Sequence, residues 1–299
     1  EKVLTTRKRR KWHEIYLEDI QDAFSKRPNV LRVMELRELI SESRDEWRTP
    51  KSLGNDAVIE LFVEIGLLNL VPLTDSSGIP KDLYARQEPT ALQVAAALKP
   101  GAYLSHGTAA SINNLSRNIQ KVIYVTKEQS EKPPYDADLT QEAIDSAFSK
   151  PQRITRDQYL YLDETIMLLN GKYSGDMGVG VASPETGLRV TRTERTLIDM
   201  AVRPDYSGGV YQVLEAYERA QGRVAIAVLV STLKKLDFIY PYHQAVGFYL
   251  EKAGYPSSAY SPFKKMGFEF KFYLCHGLTD HAFDEEWQLH VPVGMEITR

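Results

Sequence analysis

TRTERTLIDM, at residues 191–200, marks a junction between a β-strand and an α-helix. The sequence LRV at residues 188–190 leads into it as a strand, and apolar residues at helical spacing follow it. Thr191 and Glu194 have the spacing of a capping box, in which the threonine oxygen accepts the N3 amide and the glutamate accepts the cap amide. The sequence therefore predicts a helix with Thr191 as its N-cap.

Two charged residues inside the same helix allow two interpretations. Arg195 and Asp199 have the i,i+4 spacing of a helical ion pair, which is a structural role. The alternative is a charged cluster of Glu194, Arg195 and Asp199 at a binding surface. Because short motifs often mislead, the structural interpretation is preferred. After this helix, the sequence RPDYSGGV at residues 203–210 predicts a tight turn at its two glycines and a new helix.

Strands alternate with helices on the N-terminal side of this junction. The apolar run VIYV at residues 122–125 predicts a strand that is covered on both faces. Further strands are predicted at residues 102–104, 154–162 and 179–182, and a helix is predicted over residues 108–115. This alternation predicts an α/β central region.

The C-terminal side of the junction is predicted to be helical and to end in a β-hairpin. Apolar residues recur at helical spacing in three segments: 210–217, 228–236 and 241–250. Apolar and polar residues then alternate over residues 268–274 and 287–291. This pattern predicts two paired strands, joined by an acidic loop over residues 276–286.

The first third of the chain has another pattern, of three amphipathic helices followed by a hairpin. Apolar residues at helical spacing place the helices in three segments: 16–24, 33–47 and 57–65. The hairpin strands are residues 67–73 and 81–86, with the turn TDSSGIP between them. This order predicts a winged helix-turn-helix in a first domain of residues 1–88. Residues 89–299 then form a larger α/β domain, with a subdivision near residue 206.

Composition bounds the class of protein. A chain of 299 residues is long enough for two or three domains. A hydrophobic content of 43% and a charged content of 26% are near the averages of soluble globular proteins. No apolar run is long enough to span a membrane. The single cysteine, Cys275, excludes an intrachain disulfide and fits a reducing compartment, so we expect a cytoplasmic protein with no membrane partner.

A winged helix-turn-helix places its third helix in the major groove of DNA, with the first turn at the base edges. The loop that leads to this helix supplies a guanidinium, an ammonium and an amide, which suit phosphate, guanine and adenine. The run RKRRK at residues 7–11 predicts an arm on phosphates or in a minor groove, or else a solvated tail. The candidate DNA-binding residues come from this arm, the loop and the wing: Arg7, Arg9, Arg10, Lys11, Arg48, Thr49, Lys51, Ser52, Asn55, Lys81 and Arg86.

Two features of charge count against DNA binding. The net charge of −3 is unusual for a protein that neutralises phosphates. The solvent face of the third helix carries Asp56, Glu60 and Glu64, which repel phosphates. Either only the N-terminus of this helix touches DNA, or the contact surface lies elsewhere. The alternative is a winged helix that is used for protein contacts.

No segment predicts catalysis, a metal site or a cofactor. Neighbours in sequence rarely point at each other, so Ser105 is expected to be an N-cap and His106 a packing or surface residue, rather than a nucleophile and its base. The glycine-rich residues 175–180 lack the strand–loop–helix context of a nucleotide site. Zinc ligands recur at tight offsets, unlike the histidines of the C-terminal region: His243, His276, His281 and His290.

Four segments together resemble the AbiEi-type antitoxins of bacterial toxin–antitoxin and phage-defence operons. The segments are AYLSHGTAA at 102–110, TRTERTLIDM at 191–200, RPDYSGGV at 203–210 and YHQAVGFYLEKAGY at 242–255. A winged helix-turn-helix is the usual N-terminal module of this family. The resemblance therefore covers the chain from about Asp19 to its end.

The resemblance implies a DNA-binding autorepressor that is also an antitoxin, and it implies no enzyme activity. Its partners would be promoter DNA with inverted repeats and a nucleotidyltransferase-like toxin, which family members counteract without a stable complex. Two alternatives stay open: a non-enzymatic adaptor in a phage-defence complex, and an enzyme whose α/β domain modifies the toxin or its target. A homodimer on DNA is left open as well. The candidate residues of the antitoxin domain lie in the resembling segments: Ser105, His106, Glu194, Arg195 and Asp199.

Overall fold

The structure is a computed structural model that describes residues 10–118, 121–133 and 138–296. These residues form an N-terminal module (residues 10–88), a central sheet with helices, and a C-terminal part of helices with a small sheet. The predicted α/β class is confirmed by this combination of helices and mixed sheets. No helix in the described residues is long and apolar enough to cross a bilayer.

The N-terminal module contains the predicted helices and short strands. Its helices are α1 Trp12–Ile15, α2 Leu17–Ser25, α3 Val33–Ser43 and α4 Asn55–Glu64. Its strands are β1 Val30–Arg32, β2 Asn69–Leu70, β3 Leu73–Asp75 and β4 Leu83–Ala85. β1 and β2 both pair antiparallel with β4, which gives a three-stranded sheet of order β1–β4–β2.

Aromatic rings form the centre of the module. The ring of Phe62 on α4 meets Trp47 edge-on at 6.0 Å and Phe24 edge-on at 5.9 Å. Aliphatic residues of α2 and α3, such as Ile20 and Leu36, complete this core and are 0% exposed. The apolar positions that predicted the three helices are therefore the positions that the module buries.

The predicted wing hairpin is divided between two sheets. Its base belongs to the module, because β2 pairs with β4. Its tip does not, because β3 pairs with the central strand β7, Gln158–Tyr161, with Thr74 opposite Leu160. The tip of the hairpin is thus an edge strand of the central sheet.

The central sheet has seven strands in the order β3–β7–β8–β6–β5–β10–β9. Beyond β3 and β7, its strands are β5 Tyr103–Leu104, β6 Val122–Glu128, β8 Glu164–Gly171, β9 Val179–Val181 and β10 Arg189–Thr191. The accompanying helices are α5 Ala91–Ala97, α6 His106–Ile112, α7 Gln141–Phe148 and α8 Thr193–Val202. β6 and β8 are parallel over seven residue pairs, and the buried run at the start of β6 matches the predicted covered strand.

Apolar packing continues across the predicted boundary at residue 88. Val30 and Leu83 of the module share one buried cluster with Val94 of α5 and Val125 of β6. Arg32 also donates from its guanidinium to the carbonyl oxygen of Ala97 at 3.1 Å. The module is therefore packed on the central sheet rather than joined to it by a linker.

Four helices and a small sheet make up the C-terminal part. A 3₁₀ turn at Pro204–Ser207 leads to α9 Val210–Arg219, α10 Ile226–Leu236, α11 Tyr242–Lys252 and α12 Ser257–Lys264. The strands are β11 Phe272–Tyr273, β12 His281–Asp284 and β13 Leu289–Pro292. α8 packs into the same core, since Leu197 and Ile198 share a cluster with Val213 and Tyr249. The core thus also continues across residue 206.

The predicted C-terminal hairpin has a different topology in the structure. Residues 268–274 and 287–291 do pair, but β11 runs parallel to β13. The antiparallel partner of β13 is β12, which lies inside the segment that was predicted to be an acidic loop. The prediction failed because β12 has the sequence HAFD, which is too short and polar to stand out as a strand.

The predicted capping box at the junction is wrong. Thr191 is the last residue of β10, and Arg192 is the N-cap of α8, without a side-chain capping bond. The Thr191 hydroxyl instead lies 2.8 Å from the hydroxyl of Thr196, and the Glu194 carboxylate accepts the amide of Ala225 at 2.9 Å. Glu194 therefore holds the start of α10 instead of the start of its own helix.

Candidate nucleic-acid interface

One arginine holds the loop between α3 and α4, residues 44–54, in shape. The guanidinium of Arg44 donates to the carbonyl oxygens of Pro50 at 3.4 Å and Leu53 at 2.7 Å. It also donates to the side-chain oxygen of Asn55 at 2.8 Å. The indole of Trp47, which is 0% exposed, anchors the loop in the core of the module. A planar group with several fixed donors thus ties the loop to the start of α4.

The loop presents Arg48, Lys51 and Ser52 to solvent. Their side chains make no hydrogen bond or ion pair with any residue that the structure describes. Arg48 has a φ of 48°, a left-handed conformation that is uncommon outside glycine and that the surrounding structure must hold in place. Two exposed cations and a hydroxyl on a fixed loop are groups that contact phosphates.

The start of α4 adds backbone donors beside this loop. The helix begins after Gly54, which provides no side-chain cap. The first amides of a helix have no partner within the helix, so they are available to an anion. Nothing in the described residues occupies them.

Two of the loop's candidate residues are used inside the module. The side-chain amide of Asn55 donates to the carbonyl oxygen of Arg37 at 3.1 Å and to the hydroxyl of Ser41 at 2.8 Å. Its oxygen is the one that accepts from Arg44, so this amide is not free to contact a base. Thr49 is 6% exposed, and its hydroxyl is buried.

The solvent face of α4 is acidic, as its sequence indicates. Asp56, Glu60 and Glu64 are all exposed. Arg37 forms a two-pronged ion pair with Asp56, at 2.7 and 2.9 Å, and this hydrogen bonding lowers the pKa of Asp56. The other two carboxylates keep the rest of the face negative. Phosphate contact is therefore favoured only at the start of the helix and in the preceding loop.

The basic arm enters the module next to α4. Arg10 and Lys11 are exposed, whereas Arg7 and Arg9 lie outside the described residues. The next residue, Trp12, packs its ring 6.3 Å from that of Phe62. The same Phe62 contacts Trp47, the neighbour of Arg48. The end of the arm and the loop therefore meet the same part of the module core.

The two candidate cations of the wing, Lys81 and Arg86, already have partners within the protein. The ammonium of Lys81 lies 2.8 Å from the carboxylate of Asp75, and this hydrogen bond raises the pKa of Lys81. Arg86 donates to the carbonyl oxygen of Arg27 at 3.2 Å. With the wing tip also paired to β7, these two cations are poorer phosphate contacts than Arg48 and Lys51.

Ser105 and His106 contact each other, which the sequence did not lead us to expect. Ser105 Oγ lies 2.9 Å from His106 Nδ1 and 2.7 Å from Thr126 Oγ1. Ser105 does stand at the N-cap position of α6, but its side chain makes no capping bond. His106 has a φ of 50°, and its ring packs edge-on against Tyr206 at 5.6 Å.

The Ser105–His106 pair is buried. Ser105 is 0% exposed and His106 is 8% exposed. Burial lowers the pKa of His106 to about 4, so the ring is neutral at pH 7. A nucleophile must reach its substrate, and burial keeps the Ser105 hydroxyl out of contact with solvent. The geometry therefore favours a packing role for the pair.

Arg195 and Asp199 form the predicted i,i+4 pair, and they form it in the interior. Arg195 Nε donates to Asp199 at 2.8 Å, and the two side chains are only 6% and 9% exposed. The guanidinium also donates to Met177 O at 2.7 Å, to Ser174 Oγ at 3.1 Å and to Tyr103 Oη at 3.4 Å. Burial lowers the pKa of Arg195, but the charge and hydrogen bond of Asp199, together with Tyr103 and Glu128, outweigh burial and raise this pKa.

Apart from Asp199, the residues around Arg195 were not assigned to it by the sequence motifs. Glu128, at the polar end of β6, accepts from Tyr103 at 3.1 Å and from the amide of Ser174 at 2.8 Å. The glycine-rich loop packs directly on Arg195, because a Cβ on Gly178 would stand 2.6 Å from Arg195 Cβ. The loop, β5, β6 and α8 are thus joined by one buried arginine, and the only sequence signal was a carboxylate at the end of an apolar run.

The four histidines of the C-terminal part make ring and backbone contacts. His243 donates from Nε2 to the carbonyl oxygen of Gly267 at 2.7 Å, and the His276 ring stacks on Phe148 at 4.1 Å. His281 and His290 are neighbours, with ring centroids 4.7 Å apart. Among the residues that the structure describes, no group of three His, Cys, Asp or Glu side chains is placed to hold a metal.

Comparison with known proteins shows a similarity of fold to a solved structure. No family model matches the chain, and no curated protein matches it. Among solved structures, the crystal structure of RV2827C protein from Mycobacterium tuberculosis is similar, with a TM-score of 0.56 and 14% sequence identity. The similarity covers 95% of this chain and 92% of that chain. At this identity the likeness shows that the two chains have a similar fold over nearly their whole length.

Proposed function

We propose that the protein is a DNA-binding transcriptional autorepressor that also serves as the antitoxin of a toxin–antitoxin or phage-defence operon. The observation that carries the DNA-binding half is the unpartnered, exposed pair Arg48 and Lys51 on the fixed loop before α4. The antitoxin half rests on the resemblance of four sequence segments to AbiEi-type antitoxins.

The arrangement of the module supports this proposal. From α2 to β4 the module has the order helix, strand, helix, helix and hairpin, with the antiparallel sheet β1–β4–β2. This is the order expected of a winged helix-turn-helix. In this arrangement α4 is the helix that approaches the major groove. Its acidic face limits the contact to the first turn, the loop and the arm. DNA binding would then be mainly phosphate contact by Arg48, Lys51, Arg10 and Lys11.

Binding to the protein's own promoter fragment tests the proposal. Fluorescence anisotropy would be measured for the wild type and for the double variant Arg48→Ala/Lys51→Ala at several salt concentrations. Each lost phosphate contact reduces the slope of log K against log salt by about 0.9, so we expect a slope reduced by about 2 per bound chain. The affinity at low salt should fall by at least about tenfold.

The matched control is Lys234→Ala/Lys235→Ala, which removes two exposed cations from α10. This variant should bind the promoter as the wild type does. An unchanged salt slope in the Arg48/Lys51 variant would show that the loop is not the DNA contact. Equal losses in both double variants would show a general charge effect and no site.

A further inference from the structure

A groove with a volume of about 530 Å³ lies in the C-terminal part, lined by residues with no role so far. One wall is the loop between α10 and α11, and the other is the segment that follows α12. We call it the aromatic groove, and its lining residues are Leu139, Phe238, Ile239, Tyr240, Pro241, His243, Met266, Gly267, Phe268, Glu269 and Phe270. Ile239 at its edge is 54% exposed and adds apolar surface beside the aromatic rings.

The aromatic rings of both walls are held by packing against rings outside the groove. Tyr240 packs edge-on against Phe148 at 5.1 Å, and Phe238 packs edge-on against Tyr242 at 5.3 Å. On the opposite wall, Phe268 lies 5.6 Å from the ring of Trp287. Rings held in this way lose little freedom when a ligand arrives, so the groove is formed before binding.

The second wall has unpaired backbone groups. Phe268 and Glu269 lie in no helix or strand, and their amides and carbonyls make no hydrogen bond within the described part of the chain. The flanking residues are held, because Gln244 donates to Phe270 O at 3.1 Å and Gln141 bonds to both backbone groups of Lys271 at 2.9 Å. A held segment with unpaired backbone groups offers donors and acceptors to the backbone of a bound peptide strand.

The charge of the groove indicates the charge of its occupant. Glu269 is the one carboxylate among the lining residues; it is exposed and makes no ion pair with any described residue. Asp237, next to Phe238, is likewise exposed. The nearby ammonium of Lys172 lies 5.7 Å from the Phe238 ring centroid and is bound to the carbonyls of Leu236 and Asp237. Aromatic faces beside a free carboxylate suit a lysine or arginine that flanks an apolar side chain.

We propose that the aromatic groove binds an extended segment of a partner protein that pairs with the backbone of Phe268 and Glu269. An apolar side chain of this segment lies between the aromatic walls, and a lysine or arginine lies at Glu269. The chemistry of this segment rests on the groove alone and is independent of the function proposed above.

Peptide binding to the full chain tests this proposal. The probe is the fluorescein-labelled peptide STKVFVKTS, compared with STEVFVETS, in which glutamate replaces both lysines. We expect the lysine peptide to bind in about the micromolar range and the glutamate peptide about fivefold or more weakly. The variant Glu269→Lys should reverse this order, and methylation of alternate backbone amides of the lysine peptide should remove its binding.

The control is Glu185→Lys, which makes the same charge change at an exposed loop residue and should keep the wild-type order. Equal binding of the two peptides, absence of binding at about 1 mM, or an unchanged order in Glu269→Lys would each overturn the proposal. Binding of the methylated peptide would overturn the strand pairing. The peptide assay contains no DNA, so its failure is distinct from a failure of promoter binding.

Discussion

At the scale of single residues, His106 is the clearest case of a titratable side chain placed in the interior. It is 8% exposed and contacts Ser105 and Tyr206, and it adopts a left-handed φ of 50°. Burial disfavours the charged ring and lowers its pKa to about 4. The folded state therefore prefers the neutral form, while the unfolded chain binds a proton at an ordinary pKa near 6.5.

This preference predicts a loss of stability on acidification. The stabilising contribution of neutral His106 is fully present above pH 6.5 and is lost as the pH falls towards 4. With about 1.4 kcal/mol per pH unit, the loss reaches about 3 kcal/mol. His106→Asn keeps a residue that tolerates the left-handed backbone but does not titrate, so its stability should fall less over this range. Urea unfolding of both proteins between pH 7 and 4 measures the difference, and parallel curves would contradict it.

At the scale of secondary-structure elements, α11 is positioned by a close approach to the loop before β13. Gly247 in the middle of α11 faces the ring of Trp287, and a Cβ there would stand 2.2 Å from two ring atoms. Trp287 is 0% exposed and donates from its indole to the Glu251 carboxylate at 2.6 Å, so it cannot shift freely. The helix and the small C-terminal sheet thus pack at a distance that only glycine allows.

The expected result for Gly247→Ala is strong destabilisation. Alanine in a helix interior normally gains about 0.5–1 kcal/mol over glycine, but overpacking costs about 1–3 kcal/mol or more. We therefore expect a net loss of stability, measured as a lower midpoint of thermal unfolding. Gly54→Ala is the control, since a Cβ there meets nothing within 4 Å. A Gly247→Ala variant that is as stable as the control would show that Trp287 can move aside.

At the scale of the whole molecule, the N-terminal module and the central sheet share a core. Leu73 of β3 is 1% exposed and lies in the same cluster as Val30 of the module and Val125 of β6. The strand that carries Leu73 is the outermost strand of the central sheet. Docking through a shared core makes the orientation of the loop before α4 a property of the whole fold.

A single substitution at Leu73 should therefore weaken both parts. Replacing a buried leucine by alanine costs about 2–5 kcal/mol. We expect Leu73→Ala to lower the free energy of opening of α3 and of β6 by similar amounts, measured by native-state hydrogen exchange. Leu36→Ala serves as the comparison, because Leu36 lies in the core of the module and its loss acts directly on the module alone. Faster exchange in only one of the two elements would show that the parts unfold separately.

Local patterns accounted for much of the fold. The α/β class, the helices of the module and the covered strand β6 follow from apolar spacing alone, because local burial repeats with the period of the element. The Arg195–Asp199 pair followed from helical spacing, although its burial did not.

What the sequence by itself determined about this protein is thus its set of helices and main strands, together with the cations that lie on exposed loops. Only the tertiary structure decided that the Asn55 side chain bonds within the module and is not free to contact a base. It also decided that Glu194 accepts the amide at the start of a neighbouring helix, and that the tip of the predicted wing pairs with the central sheet. It also brought together the walls of the aromatic groove from residues about thirty positions apart. The physical reason is that helical and strand periods are local, whereas hydrogen-bond partners and shared cores are set by packing between distant segments.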